Sequence, residues 1–217
     1  MSVNKKLKNY IEKEIMPFYD DNYIGDGRDR VKYVLERSKH IIKENKLEVD
    51  DNILFTVISY HDIRKNSVEV GHELTSAEIM YEDKFIKDFF SEEERITMKE
   101  AIEDQRANNK DEPRNIYGKI LSSASRNSSV EQCLKRSYLY GKKKDPVASD
   151  EELFERAYEA LNKKFGIDGY AKFYFKDSVY EQFLVDIRDL LKNKEIFIKT
   201  QREYINKMVV GNWYEWI

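Results

Sequence analysis

The sequence has little of the three residue types that cross-link a chain or break helices. Its 217 residues include one cysteine, three prolines and eight glycines. A single cysteine, Cys133, excludes an intramolecular disulfide and a four-cysteine zinc site, and it suggests a reducing compartment. So few turn-forming residues disfavour an all-β fold, whereas the abundant Lys, Glu, Leu and Ile favour amphipathic helices. We therefore expect an all-α protein.

Long hydrophobic runs and an excess of one charge are also missing. No apolar stretch approaches the length that spans a bilayer, and charges interrupt the first residues, MSVNKKLKNYIEKEI, where a signal peptide needs an apolar core. The 38 Lys and Arg residues nearly balance the 41 Asp and Glu residues. No global field therefore favours nucleic acid or a membrane surface. We expect a cytoplasmic protein without a membrane partner or a strong nucleic-acid signal.

Apolar spacing predicts helices along most of the chain. The pattern in LKNYIEKEI predicts an N-terminal helix that ends near Pro17, and DDNILFTVISY is apolar nearly all round, which is typical of a buried central helix. Three serines followed by glutamate three positions later predict capped helix starts. These pairs are Ser91 with Glu94, Ser128 with Glu131, and Ser149 with Glu152.

We find no convincing linker or internal repeat. We therefore expect a single compact helical domain over residues 1–217, with a core over about 18–145 and a C-terminal helical extension over about 146–217. Cys133 lies at apolar helical spacing with Val130 and Leu134. This spacing favours a packed thiol over a reactive one.

Only three histidines can supply imidazole chemistry: His40, His61 and His72. His61 is followed at once by Asp62 at the end of the predicted buried helix. A buried polar pair needs an ion, a ligand or a hydrogen-bond network. The residues alone leave two interpretations open, a metal site and a satisfied His–Asp hydrogen bond in the core.

The order of several motifs resembles the HD-domain superfamily of metal-dependent phosphohydrolases, in particular its small bacterial and phage-type members. The motifs are GDGRDRVKYVL, YHDIRKN, GHELTSAEIM, AIEDQRAN and IYGKILSSASRN. They span Arg28 to Gly141, and GYAKFYFKDSVYEQFL extends the resemblance to about Leu191. The resemblance implies a single compact HD-domain-like helical bundle. It also implies one or two divalent ions that activate water for attack on a phosphoester.

Six positions correspond to metal ligands of that family. Three keep the family's residue type: His61, Asp62 and His72. Three do not: Arg30 and Gln105 stand in place of histidines, and Ser123 in place of an aspartate. A divalent ion such as Mn, Fe, Ni, Mg or Zn would therefore find too few ligands for a catalytic centre, which typically has about three around each ion. We expect no cofactor and no activity; in an active protein, Asp62 and Lys65 would be the catalytic residues.

We prefer the hypothesis that an arginine replaces the metal. The Arg30 guanidinium keeps its proton, would repel a dication, and has the planar geometry to pair with Asp62. Basic residues recur at the motif positions: Arg28, Arg30, Arg64, Lys65, Arg106 and Arg126. Together with His61, Asp62, His72, Gln105 and Ser123, they predict a site for a phosphate-bearing, nucleotide-like small ligand. Each basic residue alone is also explained as a solvated surface charge.

Two other functions stay open. The first is an active phosphohydrolase that uses non-standard carboxylate ligands, chosen from Asp26, Asp29, Glu73 and Asp104. The second is a structural or interaction module with a vestigial cleft. The apolar C-terminal segment KMVVGNWYEWI, with both tryptophans, predicts docking on the protein's own core, on a second copy or on a protein partner.

Overall fold

The chain is all-α, as predicted. The computed structural model describes residues 2–20, 27–64, 71–106, 111–170 and 174–210, with side chains as far as 208. Over these ranges it contains eleven α-helices and no strand. None of the described helices combines the length and the apolar character required to cross a bilayer.

Backbone contacts divide the chain into two compact units. Unit 1 comprises Met1–Ser125 and Phe173–Lys176, and unit 2 comprises Arg126–Lys172 and Asp177–Ile217. The predicted core over about 18–145 and the C-terminal extension over about 146–217 stay predictions. That the whole chain is one domain stays a prediction.

Unit 1 is built around one central helix. Its helices are α1 Lys5–Tyr10, α2 Arg28–Asn45, α3 Asp51–Tyr60, α4 His72–Glu82, α5 Lys84–Phe89, α6 Glu92–Glu103 and α7 Ile116–Ala124. The Asp50 carboxylate caps α3 at its N-terminus, and every residue from 53 to 60 is buried. Helices α2, α6 and α7 pack against α3. The prediction of a buried central helix is therefore confirmed.

The N-terminal helix changes its winding before Pro17. After α1 the chain continues as a π-helical stretch, Ile11–Ile15, and then as a 3₁₀ turn, Met16–Tyr19. Pro17 lies in the first turn of that 3₁₀ segment, where its missing N–H removes no helical hydrogen bond. The continuous winding carries Tyr19 into the core, where its side chain is 1 % exposed.

The short segment 174–176 is hydrogen-bonded to one side chain of α2, and Phe175 packs against the core of unit 1. The Asn45 amide nitrogen donates to the Lys176 carbonyl over 2.7 Å, and the Lys176 N–H donates to the Asn45 amide oxygen over 3.1 Å. The Asn45 side-chain amide donates to and accepts from the Lys176 backbone, as a neighbouring backbone segment would. This pair of hydrogen bonds holds the segment against α2, although the segment is neither helix nor strand.

Unit 2 is a set of four helices around an aromatic core. The helices are α8 Val130–Lys144, α9 Asp150–Phe165, α10 Ser178–Leu191 and α11 Lys194–Val210. The rings of Phe165 and Phe183 meet edge to face at 5.1 Å, and Tyr158 and Phe197 at 5.3 Å. Cys133 is buried, and burial raises the pKa of its thiol to about 11. The prediction of a packed thiol is confirmed.

Two of the three predicted helix starts are confirmed. Full capping boxes form at Ser91 with Glu94 and at Ser149 with Glu152. The third prediction was wrong by one residue, because Ser129 is the N-cap of α8 and accepts from the backbone N–H of Gln132. A glutamine at the third helical position suits that role as well as a glutamate does, so the pattern fits either register.

Candidate functional site

The candidate site forms where helix α3 ends and the chain turns through His61 and Asp62. The Nδ1 atom of His61 lies 2.7 Å from the carbonyl oxygen of Ile58. A carbonyl oxygen can only accept, so Nδ1 carries a hydrogen in this contact. His61 is fully buried, so its ring is held within the core.

Two side chains from distant segments satisfy the backbone of this turn. The hydroxyl of Tyr19 donates to the Ser59 carbonyl over 3.0 Å and accepts from the Asp62 N–H over 3.3 Å. The Gln105 amide donates to the His61 carbonyl over 2.8 Å. Burial, together with the nearby Asp62 carboxylate, raises the pKa of Tyr19 well above its ordinary value, so the phenol remains a donor. The His–Asp turn is thus held without regular helical bonding.

The Asp62 carboxylate lies between two imidazoles. Its Oδ2 is 3.3 Å from His61 Nε2, and its Oδ1 is 3.3 Å from His72 Nε2. His72 opens helix α4, and Gly71 before it has a φ of 80°, a left-handed conformation that a side chain would strain. A glycine at this position therefore helps to direct His72 toward Asp62.

The outer side of His72 contacts an ion pair. Arg106 Nη2 lies 2.8 Å from Glu73 Oε2 and 3.5 Å from His72 Nδ1, and Glu73 Oε2 is 3.6 Å from the same ring nitrogen. An arginine can only donate, so the contact with Arg106 favours a lone pair on Nδ1 and a hydrogen on Nε2. That hydrogen faces Asp62 Oδ1. Arg106 was predicted from the sequence to bind a ligand; in the structure it forms an ion pair with Glu73.

The buried Nε2 atom of His61 faces the Asp62 carboxylate. It has no hydrogen-bond partner among the described residues, although Asp62 Oδ2 is 3.3 Å away.

The described ligands fit only part of the requirements for a metal ion. An imidazole that donates through Nδ1 to a carbonyl, with Nε2 open, is the usual orientation of a metal ligand. However, ligand atoms from His61, Asp62 and His72 do not all lie within 4.8 Å of one another, judged on the part of the chain that the structure describes. The three residues therefore do not fit a single ion held by all of them.

The positions that replace family ligands are buried but hold no acidic group. Arg30 is 9 % exposed, donates to the Ser125 carbonyl, and lies 5.2 Å above the Tyr33 ring. The hydroxyl of Ser123 is buried and has no hydrogen-bond partner among the described residues. The pairing of Arg30 with Asp62 stays a prediction.

The remaining basic candidates lie in different surroundings. Arg28 forms a two-pronged ion pair with Asp20, and the Arg64 N–H donates to the Ser76 hydroxyl over 3.3 Å. Arg126 belongs to unit 2, where it lies 5.3 Å from the ring centre of Tyr180. Lys65, Asp26 and the C-terminal residues 211–217 lie outside the described residues.

Among the alternative carboxylates, only one described residue contacts the site. Asp29 lies 3.5 Å from Lys32 on the helix surface, and Asp104 binds Arg114 over 2.9 Å. Glu73 contacts His72, as described above. Of the non-standard ligands considered from the sequence, Glu73 is therefore the one placed next to the His–Asp pair.

Sequence reasoning missed Tyr19, which holds the turn, and Tyr60, whose hydroxyl bonds to Asp83. Tyr19 is 43 residues from Asp62 in sequence, and Tyr60 donates to the Asp83 carboxylate over 2.8 Å. No local pattern marks a tyrosine as a hydrogen-bond donor to a remote backbone group. Only the position of Tyr60 next to His61 could have drawn attention to it.

Comparison with family models, with curated proteins and with solved structures gives no match to this chain. The resemblance to the HD-domain superfamily therefore rests on the motif residues alone and stays a prediction. What the structure defines is an all-α protein with a His–Asp–His cluster in unit 1, in which His61 and Asp62 are buried and His72 is half-buried.

Proposed function

We propose that the protein is an HD-domain-like binding protein without hydrolytic activity, and that it takes a phosphate-bearing small ligand such as a nucleotide. The observation that carries the proposal is the burial of Arg30, Gln105 and Ser123 at the three positions where the resemblance expects metal ligands. None of these side chains is an imidazole or a carboxylate, so the cluster offers few ligands for a metal ion that would activate water.

The charges at the motif positions of unit 1 support an anionic ligand. Arg30, Arg64 and Arg106 supply three guanidinium groups, whereas Asp62 and Glu73 supply two carboxylates. Guanidinium groups match phosphate oxygens in a two-pronged geometry. A buried arginine at position 30 also makes a nearby dication unfavourable, because like charges repel strongly where water is excluded.

A thermal-shift experiment with added phosphates tests binding. We expect pyrophosphate or a nucleotide, supplied without metal, to raise the melting temperature; a ligand at 100 times its dissociation constant adds about 2.7 kcal/mol. Arg30→Met should abolish the shift. Arg37→Met is the matched control, because Arg37 lies on the same helix, two turns away, and is similarly buried.

Two results would contradict this part of the proposal. One is the absence of any shift with inorganic phosphate, pyrophosphate and common nucleotides. The other is an equal loss of the shift in both arginine variants, since this would show a general effect of removing a buried charge from helix α2.

The absence of hydrolysis is tested with added metal. Protein supplied with Mn, Ni or Co should show little or no turnover of p-nitrophenyl phosphate or nucleotides, and it should retain little metal after dialysis. Robust turnover that disappears in Asp62→Ala would reject the proposal in favour of an active enzyme.

One observation favours that second candidate, an active phosphohydrolase with a non-standard ligand. Glu73 is 9 % exposed and its Oε2 lies 3.6 Å from His72 Nδ1. If the protein is active, Glu73→Gln should lower both metal content and turnover. Unchanged values in that variant would remove Glu73 as a ligand.

We also propose a cytoplasmic location and a docking role for the C-terminal segment. The balanced charge and the lone, buried thiol of Cys133 agree with a cytoplasmic protein. The aromatic C-terminal segment is proposed to dock on the protein itself or on a partner, including a second copy. A truncation from Gly211 tests this: unchanged melting temperature and unchanged mass by light scattering would leave only a foreign partner.

A further inference from the structure

Arg106 is the most exposed of the charged side chains that contact His72. Its side chain is 31 % exposed, whereas that of Glu73 is 12 % and that of Asp62 is 6 % exposed. His61, at the other oxygen of Asp62, is fully buried. Among the described residues, the Arg106 guanidinium is therefore the charged group of the cluster that is most open to a solute.

That guanidinium already holds an anion of the same chain. Glu73 Oε2 lies 2.8 Å from Arg106 Nη2, the distance of a charge-assisted hydrogen bond, and the residue is 9 % exposed. Because both groups belong to one folded chain, the carboxylate is present at a high effective concentration. An anionic ligand therefore meets an arginine whose charge is already balanced.

The conflict between Glu73 and a ligand is one of charge. A guanidinium has five N–H donors, so hydrogen bonding alone would allow it to bind a carboxylate and a phosphate together. The two anions would then lie a few ångströms apart beside a largely buried carboxylate, where water screens their repulsion poorly. A phosphate can still displace the carboxylate, because it carries more charge and matches two N–H groups of the guanidinium.

We infer that Glu73 is an internal competitor for the anion site at Arg106. It weakens binding of the phosphate-bearing ligand, and the ligand binds by taking the guanidinium from it. This inference rests on the proposed function, because it concerns the same ligand. It adds a residue that opposes binding, and removal of the Glu73 charge should therefore increase the affinity.

The test is calorimetric titration with pyrophosphate, without metal and in the presence of EDTA. Glu73→Gln keeps the shape of the side chain and removes its charge, so the dissociation constant should fall about tenfold, which corresponds to about 1.4 kcal/mol. Glu78→Gln is the matched control. Glu78 is an exposed residue of the same helix, and its carboxylate pairs with Lys99 rather than with Arg106.

A second pair of variants shows whether Glu73 acts through Arg106. Arg106→Met should weaken pyrophosphate binding in the parent, and adding it to Glu73→Gln should remove the tenfold gain. If Glu73→Gln does not fold, Arg106→Met in the parent decides, and unchanged binding in that variant overturns the inference.

Three other results overturn it as well: an affinity in Glu73→Gln that is unchanged or lower, an equal gain in Glu78→Gln, and a gain that persists in the double variant. The proposed function is judged separately. If the parent binds pyrophosphate, Arg30→Met abolishes binding and Glu73→Gln leaves it unchanged, the proposed function stands and only this inference fails. If neither the parent nor Glu73→Gln binds, both fail.

Discussion

The two units differ in what they bury. Among the described residues, the buried polar side chains of unit 1 are Arg30, Arg37, Ser38, Thr56, Ser59, His61, Asp62, Glu73, Ser76, Gln105, Ser122 and Ser123. Those of unit 2 are Arg126, Asp177 and Gln201. Burying a polar group costs free energy unless it is paired, so a concentration of such groups needs a reason other than stability. In unit 1, His61, Asp62, Glu73 and Gln105 belong to the cluster around Asp62.

The large buried rings show the same difference. In unit 1 the largest fully buried side chains include Tyr19 and Tyr60, whose hydroxyls hold the backbone at Ser59 and the Asp83 carboxylate. In unit 2 most of them are phenylalanines, which have no polar group to satisfy. Unit 1 therefore uses aromatic residues to orient other groups, whereas unit 2 uses them to fill volume.

The largest expected effect is on the packing of unit 2. Phe197 is fully buried in helix α11 against the Tyr158 ring, so Phe197→Ala should lower the free energy of unfolding by about 3–5 kcal/mol. Denaturant unfolding measures it. Val185→Ala is the control, because Val185 is 63 % exposed, and it should change stability by no more than about 0.5 kcal/mol. A small loss of stability in Phe197→Ala would show that packing of the buried rings contributes less to the stability of unit 2 than their burial indicates.

Two buried glutamines allow the sharpest test of the difference between the units. Gln105 is the only described side chain bonded to the His61 carbonyl, so Gln105→Leu should cost about 1–3 kcal/mol. Gln201 donates to the Leu134 carbonyl and the Ser137 hydroxyl, but its own amide oxygen is buried without a hydrogen-bond partner among the described residues. Gln201→Leu should therefore be nearly neutral.

The expected asymmetry follows from what each substitution leaves behind. Leu134 is inside helix α8, so its carbonyl keeps its helical partner, and the Ser137 hydroxyl also donates to it over 2.8 Å. The His61 carbonyl lies beyond the last residue of α3, and its side-chain donor among the described residues is the Gln105 amide. If urea unfolding shows equal losses of stability in the two variants, the hydrogen bond of Gln105 in unit 1 contributes no more to stability than those of Gln201 in unit 2.

The smallest expected effect is common to both units. Ser91→Ala in unit 1 and Ser149→Ala in unit 2 each remove the serine of a capping box, and each should cost about 1 kcal/mol. Thermal unfolding compares them. Similar losses would show that local helix signals act alike in the two units. A loss that is severalfold larger in one unit would mean that its helix start also carries tertiary contacts.

Local features of this protein could be predicted because their causes lie within a few residues. The apolar run after Asp50 gives a buried helix, and a serine with a glutamate three positions later gives a capped start at Ser91 and Ser149. The error at Ser128 has the same origin, since adjacent serines offer two registers that local sequence does not separate. His61, Asp62 and His72 were also found from sequence, because their residue types form recognisable motifs.

By itself, then, the sequence determined the all-α class, the main helices, the packed thiol of Cys133 and the residues of the His–Asp–His cluster. Only the tertiary structure decided how those residues are used. It brought Tyr19 and Gln105 to the backbone of the His–Asp turn and placed the ion pair of Glu73 and Arg106 beside His72. It also placed the boundary between the two compact units after Ser125. The physical reason is distance along the chain: helical periodicity and capping act over about four residues, whereas a hydrogen bond between residues more than forty positions apart depends on how the helices pack.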